Sequence, residues 1–223
     1  MARVIIIDLN GTLLDLSVLD SPFTDIFGKP DARKRWFGLV QELFLTSSIV
    51  GDYKNFEELS DAALEMTATQ FGVQLRSPDR DRIHNASAAV PAFGDVASSL
   101  ALLHDAGFTL ITLTNSTAKA ARARIERNKL DGYFDNVLSV DAIRCYKPSA
   151  ASYWYAAREL GIMPADCRLV AAHAWDIAGA MKAGCKAAFI ARPEQVLNPL
   201  QPMPDIIASD LGSVADQIIR NGG

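Results

Sequence analysis

Cysteine is scarce in this chain. Three residues, Cys145, Cys167 and Cys185, occur among 223, at spacings that form neither a disulfide framework nor a metal motif, so they read as reduced thiols. Cys145 lies near a Lys-Pro pair treated below, but it has no paired histidine or base beside it and is not taken as a nucleophile. Long hydrophobic runs are missing too: nothing approaches the about 18 apolar residues of a membrane span. The apolar run at the start is short, carries Asp8 and Asp15 and lacks a small-residue cleavage site; it reads as a strand of a cytoplasmic protein, not as a signal peptide. Long basic runs are also absent. With a net charge of -4 and a pI near 5.4, neither nucleic acid nor a membrane is an expected partner. No internal repeat or low-complexity linker interrupts the sequence. What remains is an ordinary globular composition, 49% hydrophobic and 22% charged, long enough to bury a sizeable core as one domain with an insertion. Small-molecule chemistry fits it best, and a homodimer is compatible with it.

The chain is organised around Ala2 to Asp15. Val4 to Ile7 form an unbroken apolar run, followed by Asp8 and a turn on Asn10-Gly11-Thr12, the pattern of a buried parallel strand ending in a loop. In open α/β sheets the carboxyl ends of the strands form the ligand crevice, which would set Asp8 beside the free amides of a Gly-containing turn. Taken alone, an Asp that caps a turn looks the same.

Helical spacing follows. Trp36, Leu39, Val40, Leu43 and Phe44 form a stripe from about Asp31 to Val50, with Asp31 expected to help start the helix after Pro30. A second helix is expected over about Asn55 to Phe71, with Asn55 as N-cap and Glu58 three residues on, and a third over about Ser77 to Ala88. Helices before any second strand break a simple βα alternation. Residues 16 to 90 are therefore read as a helical cap inserted after the first strand, and residues 1 to 15 with 91 to 223 as the core.

From Pro91 the alternation resumes. A helix over Asp95 to Ala106 stops at Gly107, and the strand Phe108 to Leu113 ends in Thr114-Asn115-Ser116-Thr117. Ser116 or Thr117 would cap a helix over Ala118 to Lys129, bringing hydroxyls and helix amides together where an anion can bind, although capping needs no ligand. Asn136 to Val140 is a strand, and Tyr146-Lys147-Pro148 precedes a helix from about Ser149 to Leu160. Arg168 to Ala172 is a strand, followed by His173-Ala174-Trp175-Asp176 and a helix ending near Gly184. Strands over Lys186 to Ala191 and Ile206 to Ala208 and a helix over Leu211 to Arg220 close an α/β, doubly wound, Rossmann-like parallel sheet.

Strand ends thus carry Asp8, Thr114-Asn115-Ser116, Lys147 and Asp176, in the order and chemical types of the four motifs of the haloacid dehalogenase superfamily, which the chain resembles over essentially its whole length. Within it the chain is most similar to the type II (S)-2-haloacid dehalogenases, through Tyr146-Lys147-Pro148 with Tyr153, Ala174-Trp175-Asp176 with Gly179, and the cap stretch Trp36 through Gly51 with Tyr53 and Phe56. The resemblance implies Asp8 as nucleophile, Lys147 as its charge partner and Asp176 as the polar residue that organises hydrolysis. Thr12, Thr114 and Asn115 would be surrounding donors, with Asn10 and Tyr153 counted beside them, and Phe37 and Trp175 would form an apolar pocket wall.

The chain departs from that pattern in three places. The superfamily's phosphatases read Asp-x-Asp-Gly-Thr and its 2-haloacid dehalogenases commonly Asp-x-Tyr-Gly-Thr; Asn10 stands at the third position here, so the phosphatase's general acid is missing. Phe37 stands where the dehalogenases place a halide-side Arg after the cap tryptophan, while Arg33, Lys34 and Arg35 read as a solvated helix face. Ala171-Ala172-His173 replaces Ser-Ser-Asn. His173 is either a base for the hydrolytic water or a histidine hydrogen-bonded at a strand end.

Charge separates the two enzymatic readings. Asp8, Lys147 and Asp176 sum to about minus one; a phosphate monoester adds about -1.5 to -2 and demands Mg²⁺ with more carboxylates than are present. A haloacid adds one carboxylate, which backbone amides and the hydroxyls near Thr114 can receive. The expectation is a metal-independent, cofactor-free hydrolase that cleaves a carbon-halogen bond through an aspartyl ester. The alternatives are a Mg²⁺-dependent phosphatase of small phosphomonoesters and a non-catalytic binding relative, the latter disfavoured by a nucleophile retained with its charge partner.

Overall fold

The computed structural model describes residues 3–221; Met1 and Ala2, at the head of the opening stretch, and Gly222 and Gly223 lie outside the described residues. The chain divides into two compact units, with boundaries between Leu14 and Asp15 and between Pro91 and Ala92.

The first unit is a parallel α/β sheet. Its strands are β1 (Val4–Ile7), β2 (Thr109–Thr114), β3 (Asn136–Ser139), β4 (Cys167–Ala171), β5 (Lys186–Ile190) and β6 (Ile206–Ala208), ordered β3-β2-β1-β4-β5-β6 and parallel throughout. Ile5, Ile6 and Ile7 are fully buried, as a central parallel strand covered on both faces requires. Ile7 is in register with Thr112 on one side and Val170 on the other, so β1, β2 and β4 end side by side. The order reverses at β1: the chain runs outward to β3 and then returns to lay β4 on the opposite side, the switch point at which such sheets bind ligands. The flanking helices are α5 (Val96–Asp105), α6 (Ala118–Arg127), α7 (Ala150–Glu159), α8 (Ala174–Ala183) and α9 (Leu211–Arg220).

The second unit is helical: α1 (Asp20–Phe27), α2 (Ala32–Val50), α3 (Phe56–Phe71) and α4 (Ser77–Ala88), preceded by a 3₁₀ turn over Leu16–Leu19. Helix α1 is absent from the sequence reading. It is one short element whose buried Phe23 and Phe27, one turn apart, pack in a stacked pair 5.7 Å apart, with Trp36 5.1 Å from Phe23. The expected capping box is present at α3, where Asn55 Oδ1 accepts from Glu58 N and Glu58 Oε2 from Asn55 N. Asp31 occupies the N-cap of α2 but makes no side-chain capping bond. Arg33 is not part of a purely solvated face: its Nε donates to Asp20 at 2.6 Å, tying α2 to α1. Among the described residues no helix is long and apolar enough to cross a membrane.

Candidate active site

The site residues converge at the carboxyl ends of β1 to β4. Asp8 continues the ladder of β1, its amide donating to Val170 O at 3.1 Å, and its side chain is buried. Thr12, on the same loop, donates to Asp8 Oδ2 at 2.7 Å while accepting the Ala172 amide at 3.0 Å. The carboxylate is therefore held by its own loop, which is in turn held by β4. Lys147, fully buried, lies on the connection from β3 to α7, and Pro148 stands just ahead of the N-cap Ser149, outside the helix itself. Its ammonium donates to Asp8 Oδ1 at 2.9 Å, Asp176 Oδ2 at 2.6 Å and Leu113 O at 2.8 Å, using all three of its donors.

Asp176, in the first turn of α8, is fully buried. Besides Lys147 it accepts from the Tyr153 hydroxyl at 2.5 Å. Burial and the neighbouring Asp176 charge push the Tyr153 phenol well above its ordinary pKa, so it stays a donor. Burial opposes ionisation of Asp8, but Lys147 and the His173 contact outweigh it and hold that carboxyl well below the usual carboxylate range. For Asp176 burial prevails over the Lys147 charge, and Asp8 adds repulsion, so its pKa is raised. Burial also works against the Lys147 charge, yet its two carboxylates overcome that and raise its pKa. One ammonium between two unequal carboxylates, the lower of them on Asp8, leaves an ionised oxygen nucleophile at neutral pH.

His173 Nδ1 lies 3.1 Å from Asp8 Oδ2, and the ring stacks on Trp175 with centroids 5.0 Å apart. An ionised carboxylate can only accept, so the nitrogen that bonds it, Nδ1, carries a proton. Trp175 is half-buried and lies 5.7 Å from the Lys147 ammonium.

The Asn115 side chain is turned to the Lys147 backbone. Its Oδ1 accepts the Lys147 backbone amide at 3.0 Å and its Nδ2 donates to the Lys147 carbonyl at 3.4 Å, so it fixes the segment that carries the ammonium. Thr114 Oγ1 accepts from Ser116 N at 3.2 Å, and Thr117, rather than Ser116, caps α6. Asn10 Nδ2 donates to Ser116 Oγ at 2.9 Å. Phe37 lies in the second unit on α2, half-buried and tilted against Trp36 at 6.1 Å.

Two arginines that build this region are missing from the sequence reading. Arg192, just beyond β5, donates through Nε to Thr12 O at 3.1 Å and through Nη1 to Asp95 at 2.9 Å, with its guanidinium 4.0 Å from the Phe93 ring. Its signal was available, since a cation directly after an apolar strand occupies the same kind of place as Asp8. Arg124, on α6, donates to Asn10 and Ser116; nothing local in the sequence marks it. The buried thiols are pushed upward by burial, Cys167 to about 11 and Cys185 to about 12, which keeps them protonated and poorly nucleophilic.

Gly179 explains its place in the fourth motif. A Cβ there would lie 2.5 Å from Pro148 O and 2.7 Å from both Pro148 Cβ and the Tyr153 hydroxyl. Helix α8 can approach the Lys147-Pro148 segment only without a side chain at this position. Gly179→Ala is expected to displace that segment, lowering stability by about 1–3 kcal/mol and turnover by roughly tenfold or more. Thermal denaturation and steady-state rates measured together check this; wild-type values for both would show that the contact relaxes freely.

The chain matches known proteins over most of its length. A family model for haloacid dehalogenase-like hydrolases matches residues 2–184, and the chain belongs to that family. It is 30% identical over 205 residues to (S)-2-haloacid dehalogenase 4A of Burkholderia cepacia, covering 89% of each chain. It is 31% identical over 180 residues to (S)-2-haloacid dehalogenase 1 of Pseudomonas sp. (strain CBS-3), covering 80% of this chain and 79% of the relative. The structure of L-2-haloacid dehalogenase from Xanthobacter autotrophicus superposes with a TM-score of 0.91 over 99% of both chains at 23% identity, a likeness of fold.

Proposed function

We propose that the protein hydrolyses the carbon-halogen bond of a small 2-haloacid through an ester on Asp8. The observation that carries this reading is the Lys147 ammonium seated between Asp8 and Asp176, which keeps a buried carboxylate ionised as a nucleophile; relatives named as (S)-2-haloacid dehalogenases supply the substrate class. An oxygen of Asp8 attacks the carbon bearing the halogen, the carbon-oxygen bond forms as the carbon-halogen bond breaks, and the halide leaves with the bonding pair and inversion at carbon. Water then attacks the ester carbonyl, a base takes its proton, and the 2-hydroxy acid departs as the carboxylate is restored. We assign that base to His173, whose ring adjoins Asp8.

The reaction so described needs no metal. The two carboxylates best placed to bracket a cation already bracket an ammonium. Halide and phosphate release measured side by side on 2-haloacids and phosphomonoesters, with and without EDTA, test this. Halide release is expected at the same rate with and without EDTA. Phosphate release abolished by EDTA and restored by Mg²⁺ would instead make the protein a phosphatase.

A further inference from the structure

We propose that Arg192 is a positioning residue for the nucleophile: by holding the Thr12 carbonyl it sets where the Thr12 hydroxyl meets Asp8, and so controls kcat without touching the substrate. The inference rests on the haloacid reading above. Thr12 is fully buried, and the turn after β1 leaves its carbonyl without a backbone partner. The Leu9 carbonyl receives the Leu13 and Leu14 amides and the Leu13 carbonyl the Phe93 amide, but among the described residues no amide donates to Thr12 O. A buried carbonyl needs a donor. Arg192 Nε supplies it at 3.1 Å, from 180 positions along the chain. The hydroxyl of the same Thr12 donates to Asp8 Oδ2 at 2.7 Å and accepts the Ala172 amide at 3.0 Å. One residue thus links the guanidinium to the nucleophilic carboxylate.

The way the guanidinium is turned supports this role. Beside a carboxylate, an arginine ordinarily makes two parallel bonds. Arg192 gives Asp95 one: Nη1 donates to Asp95 Oδ2 at 2.9 Å, while Asp95 Oδ1 and Arg192 Nη2 are buried and have no partner among the described residues. Asp95 Oδ2 also accepts the Leu211 amide at 2.7 Å. The Phe93 ring lies 4.0 Å from the guanidinium and fixes its plane. The Arg192 backbone is anchored beyond β5, its amide donating to Ile190 O at 2.8 Å. An ion pair selected for stability alone would close the second bond to Asp95. This one leaves a buried donor and acceptor unpaired, which is unfavourable, and turns Nε to Thr12 instead.

The test compares wild type with Arg192→Lys, Arg192→Met, Thr12→Val and the double variant Thr12→Val with Arg192→Lys, on 2-chloropropionate. Lysine keeps a positive charge beside Asp95 but carries all its donors on one terminal nitrogen, so it cannot reproduce the Nε bond to Thr12 while pairing with Asp95. Arg192→Lys is therefore expected to lower kcat about tenfold, as misplacement of a reacting group does, with KM within about twofold of wild type. Arg192→Met should lower kcat at least as far. The readout that a purely structural role would not move is the coupling: with the hydroxyl gone in Thr12→Val, Arg192→Lys should lower kcat by less than about twofold more. Circular dichroism identifies folded variants, and if Arg192→Met does not fold, Arg192→Lys decides alone. Wild-type kcat in folded Arg192→Lys would overturn the assignment, as would a rise in KM in place of the fall in kcat, or losses that multiply in full in the double variant. These results leave halide release by the wild type, and hence the haloacid reading, standing. A wild type that releases no halide from any 2-haloacid removes that reading and this inference with it.

Discussion

Asp8→Asn is expected to abolish halide release, by roughly 10⁴-fold or more, while the protein stays folded. The amide matches the carboxylate in shape but is a far poorer nucleophile. It can still accept from Thr12 or Lys147, so the loop that holds residue 8 keeps its backbone bond to Val170 and the Thr12 contact to Ala172. The change also relieves Asp176. That carboxyl is raised first by burial and further by the Asp8 charge, so a neutral neighbour lets it ionise more readily beside Lys147. Loss of activity accompanied by a native circular dichroism spectrum and a melting temperature within a few degrees of wild type would fit. Retained turnover would remove Asp8 from the chemistry.

Lys147→Ala carries the second large effect, and it combines catalysis with stability. Removing the ammonium withdraws three hydrogen bonds and leaves two buried carboxylates facing one another. Breaking a buried pair in this way costs about 3–5 kcal/mol, and turnover should fall about 10³-fold or more because one carboxyl must then take up a proton. The pH dependence follows from the sign of the shift. Carboxyls whose folded pKa is raised above the unfolded value bind more protons when folded, so stability is greatest at low pH and falls as pH rises through the folded pKa. The deficit of the variant relative to wild type should therefore be largest at neutral pH and shrink toward about pH 4. Urea unfolding at several pH values measures it; a deficit independent of pH would mean that the cost is lost packing, not uncompensated charge.

Much of this arrangement was legible in the sequence because it is written in local patterns. Apolar runs ending in Asp8, Thr114 and Ala172 mark strands by period and composition, and the polar residues that follow each run stand at the crevice of a doubly wound sheet. The capping box at Asn55 and Glu58 was legible for the same reason. What stayed hidden depends on residues distant in the chain. The family resemblance implies Asn115 as a surrounding donor; its bond to the Lys147 backbone spans 32 positions, which no periodicity records. The same holds for Arg124 and Asn10, 114 positions apart, and for Arg192 and Thr12, 180 apart. Gly179 was visible as part of a motif, but its reason lies in the Pro148 carbonyl and Tyr153 hydroxyl that close on it. Helix α1 escaped because two phenylalanines one turn apart in an eight-residue helix are too short a stripe to stand out from a loop.

The covalent role of Asp8 is tested most directly by a single turnover in heavy-oxygen water with enzyme in excess over 2-chloropropionate. An ester on Asp8 places an unlabelled carboxylate oxygen in the product, and solvent oxygen then enters the carboxylate when water attacks its carbonyl carbon. The expected result is unlabelled 2-hydroxypropionate together with a labelled peptide containing Asp8. Labelled product with an unlabelled peptide would show that water attacks the substrate directly, contradicting the account.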